Sequence, residues 1–327
     1  MNDGHGDDIY KYGNKVKINF SSNIFAYADL EGLKHHISEY LDVIANYPEP
    51  QPIALEEKLS KRLSLPRECV MITNGSTEAI YHIAQMYRGA KSCIHQPTFS
   101  EYESACIVNG HIFSDKASIH WICNPNNPTG DVIPKEQLEE TLKVNPDHIF
   151  IIDQAYEDYT TLPLFNSKEV LKYPNLILLH SFTKRYCIPG LRIGYVTAIN
   201  GIIEKLREYQ QPWSINAIAI EACSYLLDND IPNYPDIDVY MSEAMRLRSM
   251  LVETGYIDVH PTNTTFMLAE LKKGRADELK NFLIEKYGML IRDASNFKEL
   301  NNRFFRVAAQ RAKENDKLVK AIKDYLR

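Results

Sequence analysis

The chain lacks cysteines at metal-ligand or redox spacing. Its six cysteines are scattered and none forms a C-x-x-C pair, which argues against a zinc site or a disulfide framework. It lacks a basic run, and its net charge of −6 gives no nucleic-acid surface. No apolar stretch approaches the roughly 20 residues that a membrane-crossing helix needs. The opening MNDGHGDD is polar and acidic, unlike a secretory leader. Repeats and low-complexity tracts are missing too. Reduced thiols and a cytoplasmic setting are therefore the expectation. What remains is 327 residues, 44% of them hydrophobic, ample for one large core and a smaller domain.

Strand-like and helix-like segments alternate from about residue 69 to 200, the pattern of an α/β layer with a mostly parallel sheet flanked by helices. A helical stretch, SINAIAIEACSYLLDN, follows, with Ser214 as a candidate N-cap. The charged helix DVYMSEAMRLRSMLVETG comes next. Beyond Tyr256 the pattern changes to short strands (FMLAEL, MLIRD, FFRVAA) between the helices ADELKNFLIEKYG and DKLVKAIKDYLR, which reads as a small α+β domain. The expected division is 1–40 as an N-terminal segment packing on the small domain, 41–240 as the large domain, and 241–327 as the small one.

The most informative stretch is SFTKRYCIPGLRIGY, residues 181–195. It sets Lys184 in a short loop after the apolar run NLILLH, with Ser181 and Thr183 beside it and Arg192 eight residues on. A nearby guanidinium disfavours the ammonium form of a lysine, and small hydroxyls can hold a phosphate. Three further segments have the form strand, polar loop, helix or turn. VMITNGSTEAIYHIAQ carries Gly75, Ser76 and Thr77; ICNPNNPTGDVIP carries Asn127; HIFIIDQAYEDY carries Asp153 and Tyr156. In open α/β sheets such loops gather in one crevice at the carboxyl ends of the strands.

That set meets the needs of pyridoxal 5'-phosphate chemistry: a lysine for the Schiff base, a carboxylate on the pyridine nitrogen, donors on the ring hydroxyl and an anion site. Lys184 and Asp153 fit the first two, and Asn127 and Tyr156 the third. Gly75, Ser76 and Thr77 open a helix whose free N–H groups favour an anion, with Ser181 and Arg192 adding side-chain contacts. Phe99, in QPTFSEY, offers a flat face to a ring.

These residues at these intervals resemble the fold-type I aminotransferase superfamily, over nearly the whole chain from about residue 5. The likeness is to the branch holding histidinol-phosphate aminotransferases and threonine-phosphate decarboxylases. GHGDDIYKYG with INFSSNIF, QPWSINAIAIEA and TKRYCIPGLRIGY are similar to the decarboxylase patterns, whereas NYPEPQP is closer to those of the aminotransferases. The resemblance implies decarboxylation of L-threonine O-3-phosphate, with amino transfer to or from a histidinol-phosphate-like amine as the alternative. A non-catalytic binding protein on the same fold is the remote one. It implies a homodimer in which Tyr47 reaches the partner copy's cofactor phosphate. His5 and Asn23 are implied at the substrate, Arg292 at its phosphate, and Arg306 at its α-carboxylate through a bidentate fork.

Three departures from the family pattern stand out. HGDD replaces H-G-G-N at the start, which leaves the contacts of the N-terminal segment open. Only SDKA separates NGHIF from the strand SIHWICN, where another strand and helix are usual, so a trimmed sheet edge is expected. AAQ follows Arg306 in place of A-V-R, so Gln310 supplies no second positive charge, although Arg311 is adjacent.

Overall fold

The structure is a computed structural model that describes residues 6–232 and 234–327. An N-terminal segment contributes strand β1 (Ile18–Asn19) and leads to helices α1 (Glu31–Glu39) and α2 (Ile53–Leu63). The large domain then lays down β2 (Val70–Thr73), α3 (Gly75–Met86), β3 (Lys91–Ile94), α4 (Glu101–Val108), β4 (Ile112–Phe113) and β5 (Ile119–Cys123). It continues with α5 (Lys135–Val144), β6 (Ile149–Asp153), β7 (Leu176–Ser181), α6 (Phe182–Arg185), β8 (Gly194–Thr197), α7 (Asn200–Arg207) and α8 (Ala217–Asp228). Its strands form one sheet of order β2-β8-β7-β6-β5-β3-β4. All pairings are parallel except those of β8, which runs against both its neighbours.

The central strands are mostly apolar because both faces are covered, as a parallel sheet requires. Ile151, Ile177 and Leu179 pack toward α3, α4 and α7, while Phe150, Ile152 and Leu178 face α2, α5 and α8. The edge is short, as expected: β4 has two residues, both exposed, and five residues connect it to β5.

The remaining elements are α9 (Ile237–Val252), β9 (Ile257–Val259), β10 (Phe266–Leu271), α10 (Ala276–Tyr287), β11 (Met289–Leu290), β12 (Arg292–Asp293), β13 (Phe304–Ala308) and α11 (Ala312–Tyr325). They make an antiparallel sheet, β12-β13-β10-β9, covered by α9, α10 and α11. Helix α10 stops at Gly288, which takes a left-handed φ of 64°; a Cβ there would lie 2.8 Å from the Lys15 carbonyl oxygen. That close approach lets β1 pair in parallel with β11.

The N-terminal segment meets the small domain where β1 pairs with β11. Helix α1 packs on α8 of the large domain through Leu33. Gln310 explains the altered AAQ run. It is buried, accepts from the Ala26 N–H at 2.9 Å and donates to the Ile24 carbonyl at 3.0 Å, fastening the segment to the end of β13. Arg311 instead stacks on Tyr27, 3.5 Å from its centroid, and pairs with Glu314. The cap of α8 is Asn216, whose side chain accepts from Ala219 N–H at 2.8 Å, and not Ser214.

Candidate active site

The carboxyl ends of β5, β6 and β7 are adjacent, with Cys123 opposite Asp153 and Asp153 opposite Leu179 in register. Their loops empty into a cavity of about 600 Å³ bounded on the far side by β12, β13 and the N-terminal segment. Of the residues singled out in the sequence, Gly75, Ser76, Thr77, Phe99, Asn127, Asp153, Tyr156, Ser181, Thr183, Lys184, Arg192, Arg292 and Arg306 all line it.

Lys184 lies in the one-turn helix α6 rather than in a loop. The Tyr159 hydroxyl donates to its carbonyl at 2.9 Å, and its Nζ donates to the Ser22 carbonyl at 2.8 Å. The same Nζ sits 5.4 Å from the centre of the Tyr156 ring. Burial, then the Arg306 guanidinium, pulls its ammonium down to about 8. Lys184 is therefore poised to be a neutral amine under mild conditions, which imine formation demands.

Asp153 ends β6 deep in the cavity, 3% exposed. Its Oδ1 accepts from the Ala155 N–H at 2.9 Å and its Oδ2 from the Tyr102 hydroxyl at 2.8 Å. Burial lifts its carboxyl above the ordinary range, and the Tyr102 hydrogen bond works against that lift. Burial takes the Tyr156 hydroxyl to about 12, so it remains a donor.

The anion site is built by contact. Gly75 opens α3 with a φ of 75°, and a Cβ there would meet the Arg192 guanidinium at 2.7 Å. Gly194 is needed for the same reason: its Cβ would lie 2.9 Å from the Ser76 nitrogen. The two glycines let β8 and Arg192 close on the free N–H groups of α3. Thr183 Oγ1, buried in the same cavity, has no hydrogen-bond partner among the described residues. A helix N-terminus, a guanidinium and an unpartnered hydroxyl fit a phosphate ester. With Lys184 and Asp153 they fit pyridoxal 5'-phosphate.

Across the cavity, Arg292 and Arg306 are partners in register on β12 and β13. Arg306 is 4% exposed; its Nη1 donates to Asn127 Oδ1 and its Nη2 to the Ser21 carbonyl at 2.5 Å. Its Nε has no partner among the described residues. Arg292 donates to Asn296 Oδ1 at 2.6 Å. Burial, then Arg306, pulls Arg292 down to about 10. Like charges opposite each other in a buried sheet are unfavourable, and the Asp293 and Asp8 carboxylates act in the opposite direction on Arg292.

Three candidates stand elsewhere. Asn23 is buried behind the cavity wall, its amide facing Tyr156, while its neighbours Ser22 and Ile24 line the cavity. Tyr47 is 85% exposed, outside the cavity of its own chain, its ring 5.2 Å from that of Trp213. His5 lies outside the described residues.

The sequence reading passed over three contributors. Gly6 packs against both arginines: a Cβ on it would lie 3.2 Å from Arg306 Nη2 and 3.4 Å from Arg292 Cδ. Asp8 is buried and bound by Lys280 Nζ at 2.7 Å, which anchors this strap. Tyr102 is the third, and its only sequence signal is its place three residues after Phe99.

A family model for aminotransferase class I and II matches residues 15–115 and 112–322. The two stretches meet where the sheet edge is shortest. The structure is similar to that of L-threonine-O-3-phosphate decarboxylase from Porphyromonas gingivalis, with a TM-score of 0.91 and 36% identity over 94% of this chain and 99% of that one. A Caldanaerobacter subterraneus protein provisionally described as a threonine-phosphate decarboxylase is 33% identical over 98% of this chain and 93% of its own length. A histidinol-phosphate aminotransferase from Clostridium acetobutylicum is similar as well, at 27% identity and a TM-score of 0.83, over 94% of this chain and 98% of that one.

Proposed function

The chain belongs to the aminotransferase class I and II family, and from that premise we propose that it is a pyridoxal-phosphate-dependent decarboxylase of L-threonine O-3-phosphate. The carbon dioxide leaves and 1-amino-2-propanol O-2-phosphate remains. The observation that carries the reading is the pair of buried guanidiniums, Arg292 and Arg306, opposed across β12 and β13 in the cavity that holds Lys184. Two fixed cations suit a substrate with two anionic groups, a phosphate and a carboxylate. The similarity to the P. gingivalis decarboxylase adds to it.

When bound, the cofactor would supply an electron sink for the breaking of a bond to Cα. The chain's own residues do the rest. Lys184 would hold the cofactor. Arg306 grips the carboxylate, and Arg292 the substrate phosphate. When the bond from Cα to the carboxylate breaks, Lys184 or a water returns a proton to Cα. Asp153 would be the partner of the ring nitrogen, while Gly75, Ser76, Thr77, Ser181 and Arg192 would hold the cofactor phosphate.

We infer likewise a cytoplasmic homodimer. Tyr47, exposed and outside its own cavity, would reach the cofactor phosphate of the partner copy, and the product would serve as a side-chain precursor for cobalamin.

A second reading, amino transfer with histidinol phosphate, is supported by relatives such as the 27% identical histidinol-phosphate aminotransferase from Caldicellulosiruptor saccharolyticus. In that reaction Lys184 would remove the proton at Cα. One assay separates the two. Cofactor-loaded protein is given L-threonine O-3-phosphate without a keto acid, and carbon dioxide is measured. Catalytic release is the expected result; no release, together with glutamate from histidinol phosphate and 2-oxoglutarate, would replace the decarboxylase by the aminotransferase.

A further inference from the structure

We propose that Tyr102 is a positioning residue: its hydroxyl is the side-chain donor that holds Asp153 as the anionic partner of the cofactor's ring nitrogen. The inference rests on the pyridoxal phosphate site and is independent of whether carbon dioxide or an amino group is transferred.

Asp153 is buried, and the side chain that hydrogen-bonds to its carboxyl among the described residues is a neutral hydroxyl, not a lysine or arginine. A carboxylate without a cation stays charged in such a place only if hydrogen-bond donors replace the lost water. Two such donors reach it. One is the Ala155 N–H at 2.9 Å, fixed by the backbone. The other is the Tyr102 hydroxyl at 2.8 Å, the one side chain that hydrogen-bonds to Asp153 among the described residues.

The tyrosine cannot readily swing aside. It sits in the first turn of α4, 1% exposed, with its ring stacked 5.9 Å from Trp121 and edge-on at 5.6 Å to Phe99. Burial keeps its hydroxyl well above the ordinary tyrosine range, so it donates at any working pH. A phenylalanine would fill the same space. What the hydroxyl adds is a single hydrogen bond, aimed at the carboxylate in the floor of the cavity. Phe99 and Tyr102 lie three residues apart at the start of α4, which joins the ring face and the ring-nitrogen partner through one short segment.

Tyr102→Phe separates filling from positioning. The loaded variant is titrated without substrate, following the visible absorbance of the cofactor. Without the Tyr102 donor, Asp153 gives up its charge more readily and the ring nitrogen loses its counter-ion. The ring then withdraws less density from the Lys184 linkage, and the titration midpoint should rise by about one pH unit. Turnover should fall about tenfold with KM nearly unchanged, the size expected for one hydrogen bond to a charged group. In an Asp153→Asn background the same substitution should give no further shift in the midpoint. In cofactor-free protein, carbon-13 NMR should show the Asp153 carboxyl titrating at a higher pH in Tyr102→Phe than in the parent. A midpoint identical to that of the parent, or an equal shift in the Asp153→Asn background, would overturn the proposal. A parent that stays colourless with excess cofactor would overturn the cofactor site and this inference with it.

Discussion

The cavity has two halves built on different physics. The large domain presents a floor: Lys184 with its ammonium destabilised, and Asp153 as a buried carboxyl held by two hydrogen bonds. The small domain and the N-terminal strap present a wall: two buried guanidiniums opposite each other, with Gly6 packed against both. The floor is self-consistent without a substrate, since its groups are capped by Ser22, Ala155 and Tyr102. In the wall, Arg292 and Arg306 repel each other, and the carboxylates of Asp293 and Asp8 act against that repulsion at Arg292. A floor of this kind selects a cofactor and a chemistry, whereas a wall of this kind selects the charge of the substrate. Asn127 joins the two, since its Oδ1 accepts from Arg306 while its loop leaves the end of β5.

The sharpest way to break the floor is Lys184→Ala. Turnover should fall by at least about 10²–10⁴-fold, the range of a positioned acid–base group, and the visible absorbance of the attached cofactor should vanish. Residual turnover near the parent level would move the chemistry off Lys184. Asp153→Asn comes next: it should still take up cofactor, with turnover lower by roughly 10²-fold as a preorganised charge is lost. Undiminished activity there would mean that the ring nitrogen has another partner.

A third, milder comparison uses pH. A Lys184 ammonium at about 8 instead of the usual 10.5 is neutral above pH 8. The rate at which cofactor-free protein takes up pyridoxal phosphate should therefore climb through pH 8 and level off beyond it. A rate still climbing steeply at pH 10 would show that the cavity does not depress the lysine. The smallest effect is expected at the rim, where Lys298 on the wall pairs with Glu103 on the floor at 2.9 Å with its side chain 58% exposed. Such an exposed pair is worth at most about 1 kcal/mol, so Lys298→Ala should change KM by no more than a few-fold. A large change would turn that contact into a latch between the domains.

The floor was largely legible in the sequence and the wall was not. Asn127, Asp153 and Lys184 each follow an apolar strand within a few residues, so local pattern and topology suffice to bring them together. The α/β pattern and the short sheet edge were legible for the same reason. The wall depends on long-range register. Arg292 faces Arg306 only because β11 and β12 break at Ile291 and β12 pairs with β13. The sequence suggested each arginine through family likeness, but no spacing announces that they are opposed. Asp8 finds Lys280 across 272 residues, and Gln310 reaches back to Ala26 across 284. Tyr102 was hidden differently: in QPTFSEY it looks like another core aromatic, and only the fold aims its hydroxyl at Asp153.

The division of labour between the two arginines is the most direct test of the account. Binding of L-threonine O-3-phosphate and of 1-amino-2-propanol O-2-phosphate, which lacks the carboxylate, would be measured by calorimetry for Arg306→Ala and Arg292→Ala. Arg306→Ala should weaken the first ligand by about 30-fold or more, as expected when a buried charged partner is removed, and leave the second nearly unchanged. Arg292→Ala should weaken both. If Arg306→Ala weakens the two ligands equally, the wall does not read a carboxylate and a phosphate separately, and the proposed substrate loses its structural basis.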